Sequence, residues 1–154
     1  MTSPKHLLDQ VNLLTSGRRR LRNADLKRAT STAYYALFHA LAQRFENERI
    51  GDRHRQTAPW IKVYRALEHG KARQEFKRLL PTAGPGALQE IALLFVELQE
   101  LRHLADYDPG PSRLTRIGVQ QYRMRTEAVI EAFDLLSSGE WRDIATSVLL
   151  RDRK

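Results

Sequence analysis

Residues 23–49 read NADLKRATSTAYYALFHALAQRFENER. Its apolar residues recur every three or four positions, a spacing that places them on one side of an α-helix. The stripe consists of Leu26, Ala29, Ala33, Leu37, Ala40 and Leu41, widened by Tyr34, Phe38 and Phe45. Asn23 is a preferred first residue for a helix, and Gly51 follows its end. We predict one helix, about 40 Å long at 1.5 Å per residue, that forms the spine of the molecule.

The same helical spacing continues on both sides of this spine, and no stretch alternates polar and apolar residues as a strand does. Helices are predicted over residues 4–16, 59–69 with a continuation over 71–80, 87–104 and 115–136, followed by a short helix that contains Trp141. Pro- and Gly-rich breakers, PTAGPG and DPGPS, separate the later helices. The predicted fold class is all-α, an antiparallel bundle of four to five main helices with a short C-terminal helix. A chain of 154 residues predicts a single domain, residues 1–154.

Composition excludes several classes of protein. Hydrophobic residues make up 42% and charged residues 29% of the chain, which is typical of a folded protein and excludes a disordered one. The chain contains no Cys, so it has neither disulfides nor thiolate metal sites. Its five His residues lack the spacing of a metal site, and we expect no metal and no cofactor. Because there is no long apolar run and no apolar signal core, we expect a cytoplasmic protein that does not enter a membrane.

Charge is distributed unevenly along the chain. The net charge is +8, with a net +5 in residues 17–30, a net +5 in residues 44–78 and a net −4 in residues 85–108. Basic segments attract polyanions, and nucleic acid is the first candidate because lysine and arginine neutralise its phosphates. The alternative is that these segments are simply solvated surface.

One arginine interrupts the pattern of the helix predicted over residues 87–104. Its apolar stripe runs through positions 88, 91, 95 and 98, and the next inward position is Arg102. His103, Asp106 and Tyr107 follow at once, and a cluster of these residue types can bind phosphate and transfer protons. The alternatives are an arginine that extends to the surface, or an ion pair between Arg102 and Asp106 at i, i+4.

A second polar group lies on the spine. Arg28, Ser31, Tyr35 and His39 are spaced i, i+3, i+7 and i+11, so they share one strip of the helix. We expect this strip to face the Arg102 end of the later helix. The alternative for Tyr35 and His39 is a hydrogen-bonded pair in the core.

Two segments of the sequence resemble the HEPN family. The spine segment RATSTAYYALFH (28–39) and the later RHLADY (102–107) are similar to its two motifs, and many bacterial members carry Arg-x-x-Ala-Asp-Tyr at the second. The segment from Trp60 to Gly70 extends the similarity, which covers about residues 22–135. The resemblance implies a dimeric helical bundle whose catalytic members cleave RNA without metal, in a cleft at the dimer interface. The 2′-OH attacks the adjacent phosphate and leaves a cyclic phosphate. It also implies a toxin beside a nucleotidyltransferase antitoxin, or a role in phage defence.

The resemblance assigns roles residue by residue. Arg102 matches the motif arginine that binds phosphate, and His103 matches the polar residue beside it. Tyr107 stands where the motif histidine is expected, and a tyrosine with a pKa near 10 is a poor base at neutral pH. Asp106 would orient Arg102.

Two hypotheses follow. The first is a metal-independent endoribonuclease in which Arg102 binds the scissile phosphate and His103 or Tyr107 aids proton transfer. The second is a non-catalytic HEPN module that binds a nucleotide, RNA or an enzyme partner such as a nucleotidyltransferase. The residues expected to contact nucleic acid are Arg28, Ser31, Tyr35, His39, Arg53 and Arg55.

Overall fold

The computed structural model of the protein describes residues 3–50 and 69–149. The helices are α1 (Pro4–Thr15), α2 (Asn23–Ile50), α3 (His69–Ala83), α4 (Ala87–Tyr107), α5 (Arg116–Glu131) and α6 (Ser138–Leu149), with a 3₁₀ turn at Ala132–Leu135 between the last two. Those two described ranges contain no β-strand. The prediction of an all-α helical bundle is therefore confirmed. None of the helices in these ranges is long and apolar enough to cross a membrane.

Helix α2 is the spine that the sequence predicts. It packs against α1, α4, α5 and α6. Tyr34, Leu37, Leu41 and Phe45 on its apolar face are fully buried. Residues of α2 belong to both buried clusters of the core, so this helix holds the surrounding helices together.

Trp141 anchors α6 to this spine. Its ring meets Phe45 edge-on at 5.9 Å and Phe133 at 4.9 Å between centroids. Its indole Nε1 donates a hydrogen bond of 2.9 Å to the Phe133 carbonyl, so the polar end of the ring is satisfied although the residue is buried. Truncating such a residue to alanine costs about 3–5 kcal/mol of stability.

A smaller cluster joins the N-terminal helix to the bundle. Val11 of α1, Ala29 and Ala33 of α2 and Val119 of α5 are buried against one another. Their small side chains allow the three helices to approach closely. Gly17 follows α1 with a φ of +82°, a conformation that glycine adopts without steric cost, and the chain then turns toward α2.

Three helix ends lie three or more residues from those predicted. Helix α3 continues past Pro81 to Ala83, because a proline in the last turn removes only one intrahelical hydrogen bond. Helix α4 continues three residues past Leu104 to Tyr107 and ends where Pro109 restricts Asp108 to the extended conformation. Helix α5 ends at Glu131 rather than 136. The predicted helix over 59–69 lies outside the described residues apart from His69, as do Arg53 and Arg55.

Candidate functional site

Arg102 lies on the side of α4 that faces α2. Its side chain is only 11% exposed. The guanidinium carbon is 5.2 Å from the ring centroid of Tyr34 and 6.0 Å from that of Tyr35, both on α2. Cation–π contacts of this kind are worth about 0.5–2 kcal/mol and hold the planar group against the two rings. The charge is therefore held in position within the protein surface.

Asp106 connects Arg102 to the spine. Nη1 of Arg102 is 3.3 Å from Oδ2 of Asp106, which is the i, i+4 pair that the sequence offered as an alternative. The hydroxyl of Ser31 donates a hydrogen bond of 2.7 Å to the other carboxylate oxygen. The carboxylate thus accepts one hydrogen bond from each helix. Nε of Arg102 is buried and has no hydrogen-bond partner within the described part of the chain.

A groove opens beside this pair, between α2 and the end of α4. Its lining includes Lys27, Arg28, Ser31, Tyr35 and Asp106. The ammonium of Lys27 donates to the carbonyl of Asp108, just past the C-terminus of α4, where the helix dipole is negative. Arg28 is exposed. Of the polar strip of α2, Ser31 and Tyr35 contact the Arg102–Asp106 pair, and together with Arg28 they line the groove; His39 is not part of that lining.

Two histidines lie close to the tyrosines of α2: His39 on α2 itself and His69 at the start of α3. His69, at the start of α3, places its Nδ1 2.5 Å from the hydroxyl of Tyr34 and stacks on Phe38 with 4.0 Å between centroids. Burial, then the charge of Arg102, then that of His39, lower the pKa of His69 below its ordinary 6.5. Burial alone lowers the pKa of His39, whose ring lies 6.4 Å from that of Tyr35.

Tyr34 joins these groups at the centre of the site. It is fully buried, and burial raises the pKa of its hydroxyl, so the group stays protonated. His69 was not among the residues that sequence analysis assigned to the site. The available signal was its place next to Gly70, at the end of the segment 60–70 that extends the family resemblance.

His103 and Tyr107 lie on a neighbouring face of α4. Their rings are 4.9 Å apart, and Tyr107 is 69% exposed. His103 is exposed and borders a different groove, lined in part by Gly70, Arg73 and Glu100. Because α4 remains helical through Tyr107, each step of one residue turns about 100° around the axis. The predicted cluster is thus divided into two i, i+4 pairs, and only Arg102 and Asp106 face α2.

The first basic segment, residues 17–30, comprises the loop before α2 and the first turns of that helix. Arg18 and Arg20 are exposed, and both border an open groove together with Arg116. Arg19 and Arg22 both contact Asp25, and the side-chain hydrogen bond from Arg22 holds the pKa of that carboxyl below its usual range. Residues 51–68 of the second basic segment, and with them Arg53 and Arg55, lie outside the described residues. Among residues 3–50 and 69–149, no three or more His, Asp or Glu side chains form a group that could hold a metal ion.

Comparison of the chain with protein-family models, with curated proteins and with solved structures finds no match in any of the three. Its function is therefore inferred from the residues themselves, above all from those between α2 and α4.

Proposed function

We propose that this protein is a HEPN-like, RNA-directed protein that binds RNA in the groove between α2 and α4 and cleaves it as a metal-independent endoribonuclease. The observation that carries the proposal is the position of Arg102. Its guanidinium lies against two tyrosine rings and beside a groove bordered by Lys27 and Arg28. A planar cation held in this way is preorganised to bind a phosphate, since it need not be ordered when the ligand arrives.

Arg102 retains hydrogen-bond donors for such a ligand. A guanidinium has five N–H groups, and Asp106 takes one of them through Nη1. Nε has no partner among the residues described. We assign the remaining N–H groups of the guanidinium to a phosphate oxygen, and Asp106 keeps the guanidinium aligned while Ser31 holds Asp106.

The reaction proposed is internal transfer of the phosphodiester. The ribose 2′-OH attacks the neighbouring phosphorus, and a 2′,3′-cyclic phosphate and a 5′-hydroxyl are produced. Arg102 stabilises the charge that develops on the phosphate oxygens, a contribution that is typically worth about 10²–10³ in rate. The proposal includes a homodimer with the groove at its interface and a nucleotidyltransferase antitoxin as partner, in a toxin or phage-defence role in the cytoplasm.

A second candidate is a non-catalytic HEPN module that binds a nucleotide, RNA or an enzyme partner through the same groove. The observation that favours it is Tyr107, which replaces the expected histidine and is 69% exposed on the face that points away from Arg102. In this role the groove would bind phosphate without breaking it.

The two candidates are distinguished by incubating the purified protein with end-labelled RNA in EDTA. We expect cleavage into fragments with cyclic phosphate ends, and a loss of about 100-fold or more in Arg102→Ala. Arg142→Ala is the matched control, because it removes the same charge from an exposed position on α6. RNA binding that depends on Arg102, without cleavage, would establish the module instead. A protein that neither binds nor cleaves RNA would contradict both candidates.

The proposed dimer and toxin role have separate measurements. Light scattering after size exclusion should give about twice the chain mass of 17.8 kDa. Expression of the wild-type chain should arrest growth, and Arg102→Ala should relieve the arrest while Arg142→Ala does not. A monomer at all concentrations would contradict the dimeric cleft without affecting phosphate binding by Arg102.

A further inference from the structure

We infer that His69 is the catalytic residue that accepts the proton of the attacking 2′-OH, in place of the histidine that the chain lacks at position 107. This inference rests on the proposed endoribonuclease activity and adds a named residue to it. It follows from the convergence of α3 and α4 on the same two tyrosines of α2.

Arg102 and His69 share their neighbours. The ring of His69 lies 5.5 Å from that of Tyr34 and 6.0 Å from that of Tyr35 between centroids. The guanidinium carbon of Arg102 lies 5.2 Å and 6.0 Å from the same two centroids. The phosphate-binding cation and the imidazole are therefore positioned by one pair of rings, although they come from different helices.

The imidazole is also held in a fixed orientation. Its Nδ1 is 2.5 Å from the Tyr34 hydroxyl, and its plane is within 22° of the Phe38 ring, at 4.0 Å. When Nδ1–H donates to the Tyr34 oxygen, the lone pair is on Nε2. The residue itself is partly exposed. The hydroxyl of the buried Tyr34 thus orients the imidazole.

Electrostatics agree with this role. The pKa of His69 is lowered by burial and by the charges of Arg102 and His39, so the imidazole is neutral at pH 7 and ready to accept a proton. The charge of Arg102 contributes to lowering the pKa of His69, whereas burial is what lowers the pKa of His39. His103 faces a different groove, with Arg73 and Glu100. His69 is therefore the histidine best placed with respect to Arg102.

Proton transfer to His69 accompanies the internal transfer of the phosphodiester. The bond from the 2′-oxygen to phosphorus forms, and the bond from phosphorus to the 5′-oxygen breaks. The 2′-OH proton passes to Nε2 of His69, and the departing 5′-oxygen takes a proton from water. The imidazolium returns its proton to the hydroxide that remains. No oxidant, reductant or further reactant is required.

The test compares cleavage of one RNA by wild type, His69→Gln, His69→Ala and the matched control His6→Gln, whose histidine is exposed on α1. Loss of a general base should reduce the rate by about 10²–10⁴-fold without weakening RNA binding. Imidazole in the buffer should restore part of the rate to His69→Ala, which a merely structural role for His69 does not predict. Circular dichroism checks that each variant is folded.

A second variant keeps the inference testable if both His69 variants unfold. Tyr34→Phe leaves the imidazole in place and removes the partner of Nδ1, so the acid limb of the pH–rate profile should move. His69 is also faced by Tyr35 and His39 from α2 and by Arg102 from α4. Tyr34→Phe leaves these three groups unchanged. An unmoved profile would overturn the inference.

The failures of the two ideas are distinct. Cleavage that requires Arg102 but is unchanged in rate and pH profile in His69→Gln overturns the role of His69 and leaves the proposed function standing. Absence of any cleavage by the wild-type protein overturns both. A loss in His69→Gln with unchanged RNA affinity, together with rescue by imidazole, supports both.

Discussion

The last two turns of α4 present two neighbouring faces that differ sharply. On one, Arg102 and Asp106 pack against α2, and the arginine side chain is 11% exposed. On the other, His103 and Tyr107 contact each other at the surface, and Tyr107 is 69% exposed. The four residues are neighbours in sequence, but only one pair contacts α2. Helix phase, rather than closeness in sequence, therefore determines which residues form the site.

The largest effect that would test this difference is expected at Arg102. Replacing it by lysine keeps the charge but loses the planar group that lies over Tyr34 and Tyr35. We expect Arg102→Lys to recover little of the activity that Arg102→Ala loses, and to remain at least about tenfold below wild type in RNA cleavage. Full activity in the lysine variant would show that charge alone matters and that the stacking is incidental.

Asp106→Asn should have a smaller effect, with RNA affinity rising and kcat falling. Asp106→Asn removes a negative charge from the groove, so RNA affinity at low salt should rise severalfold. The same change weakens the pairing with Arg102, so kcat should fall by about tenfold. Asp143→Asn, at an exposed position on α6, is the matched control for the change in net charge. If binding and kcat fall together, Asp106 does not act by orienting Arg102.

Sequence reasoning predicted much of this architecture. Periodicity located the spine, because a long helix buries one stripe of its surface and the residues of that stripe must recur at helical spacing. The i, i+4 spacing also anticipated the pairing of Arg102 with Asp106. By contrast, the end of α4 was placed three residues early, so His103 and Tyr107 were grouped with Arg102 at a helix end rather than on separate helical faces.

His69 shows where such reasoning stops. It lies 35 residues from Tyr34 in sequence, and its hydrogen bond depends on how α3 packs against α2 and α4. Packing of this kind is set by the shapes of many side chains together. A single histidine on an amphipathic helix carries no local signal of it. The family resemblance reached as far as His69 without assigning it a role.

The partly buried histidines near Arg102 should make the free energy of unfolding depend on pH. The pKa of His69 is lower in the folded protein than its ordinary 6.5, and that of His39 is lowered as well. As pH falls, the unfolded chain therefore takes up protons first, and the free energy of unfolding decreases. We expect stability to decline between pH 7 and pH 5, and to decline less steeply in His69→Gln because the contribution of His69 is then removed. Urea unfolding at several pH values measures this, with His6→Gln as the control. Parallel curves for wild type and His69→Gln would contradict the lowered pKa.

The smallest effect is expected on the outward face of α4. Tyr107 contacts the ring of His103 at 4.9 Å and is otherwise largely in solvent, so Tyr107→Ala should change the free energy of unfolding by less than about 0.5 kcal/mol. Tyr34→Phe, on the inward side, removes one partly buried hydrogen bond and should cost about 1 kcal/mol. Urea unfolding of both variants at two protein concentrations makes the comparison. A loss above 1 kcal/mol in Tyr107→Ala that grows with concentration would show that a second copy covers this face. Both faces of α4 would then be buried in the dimer, and they would differ in exposure only in the monomer.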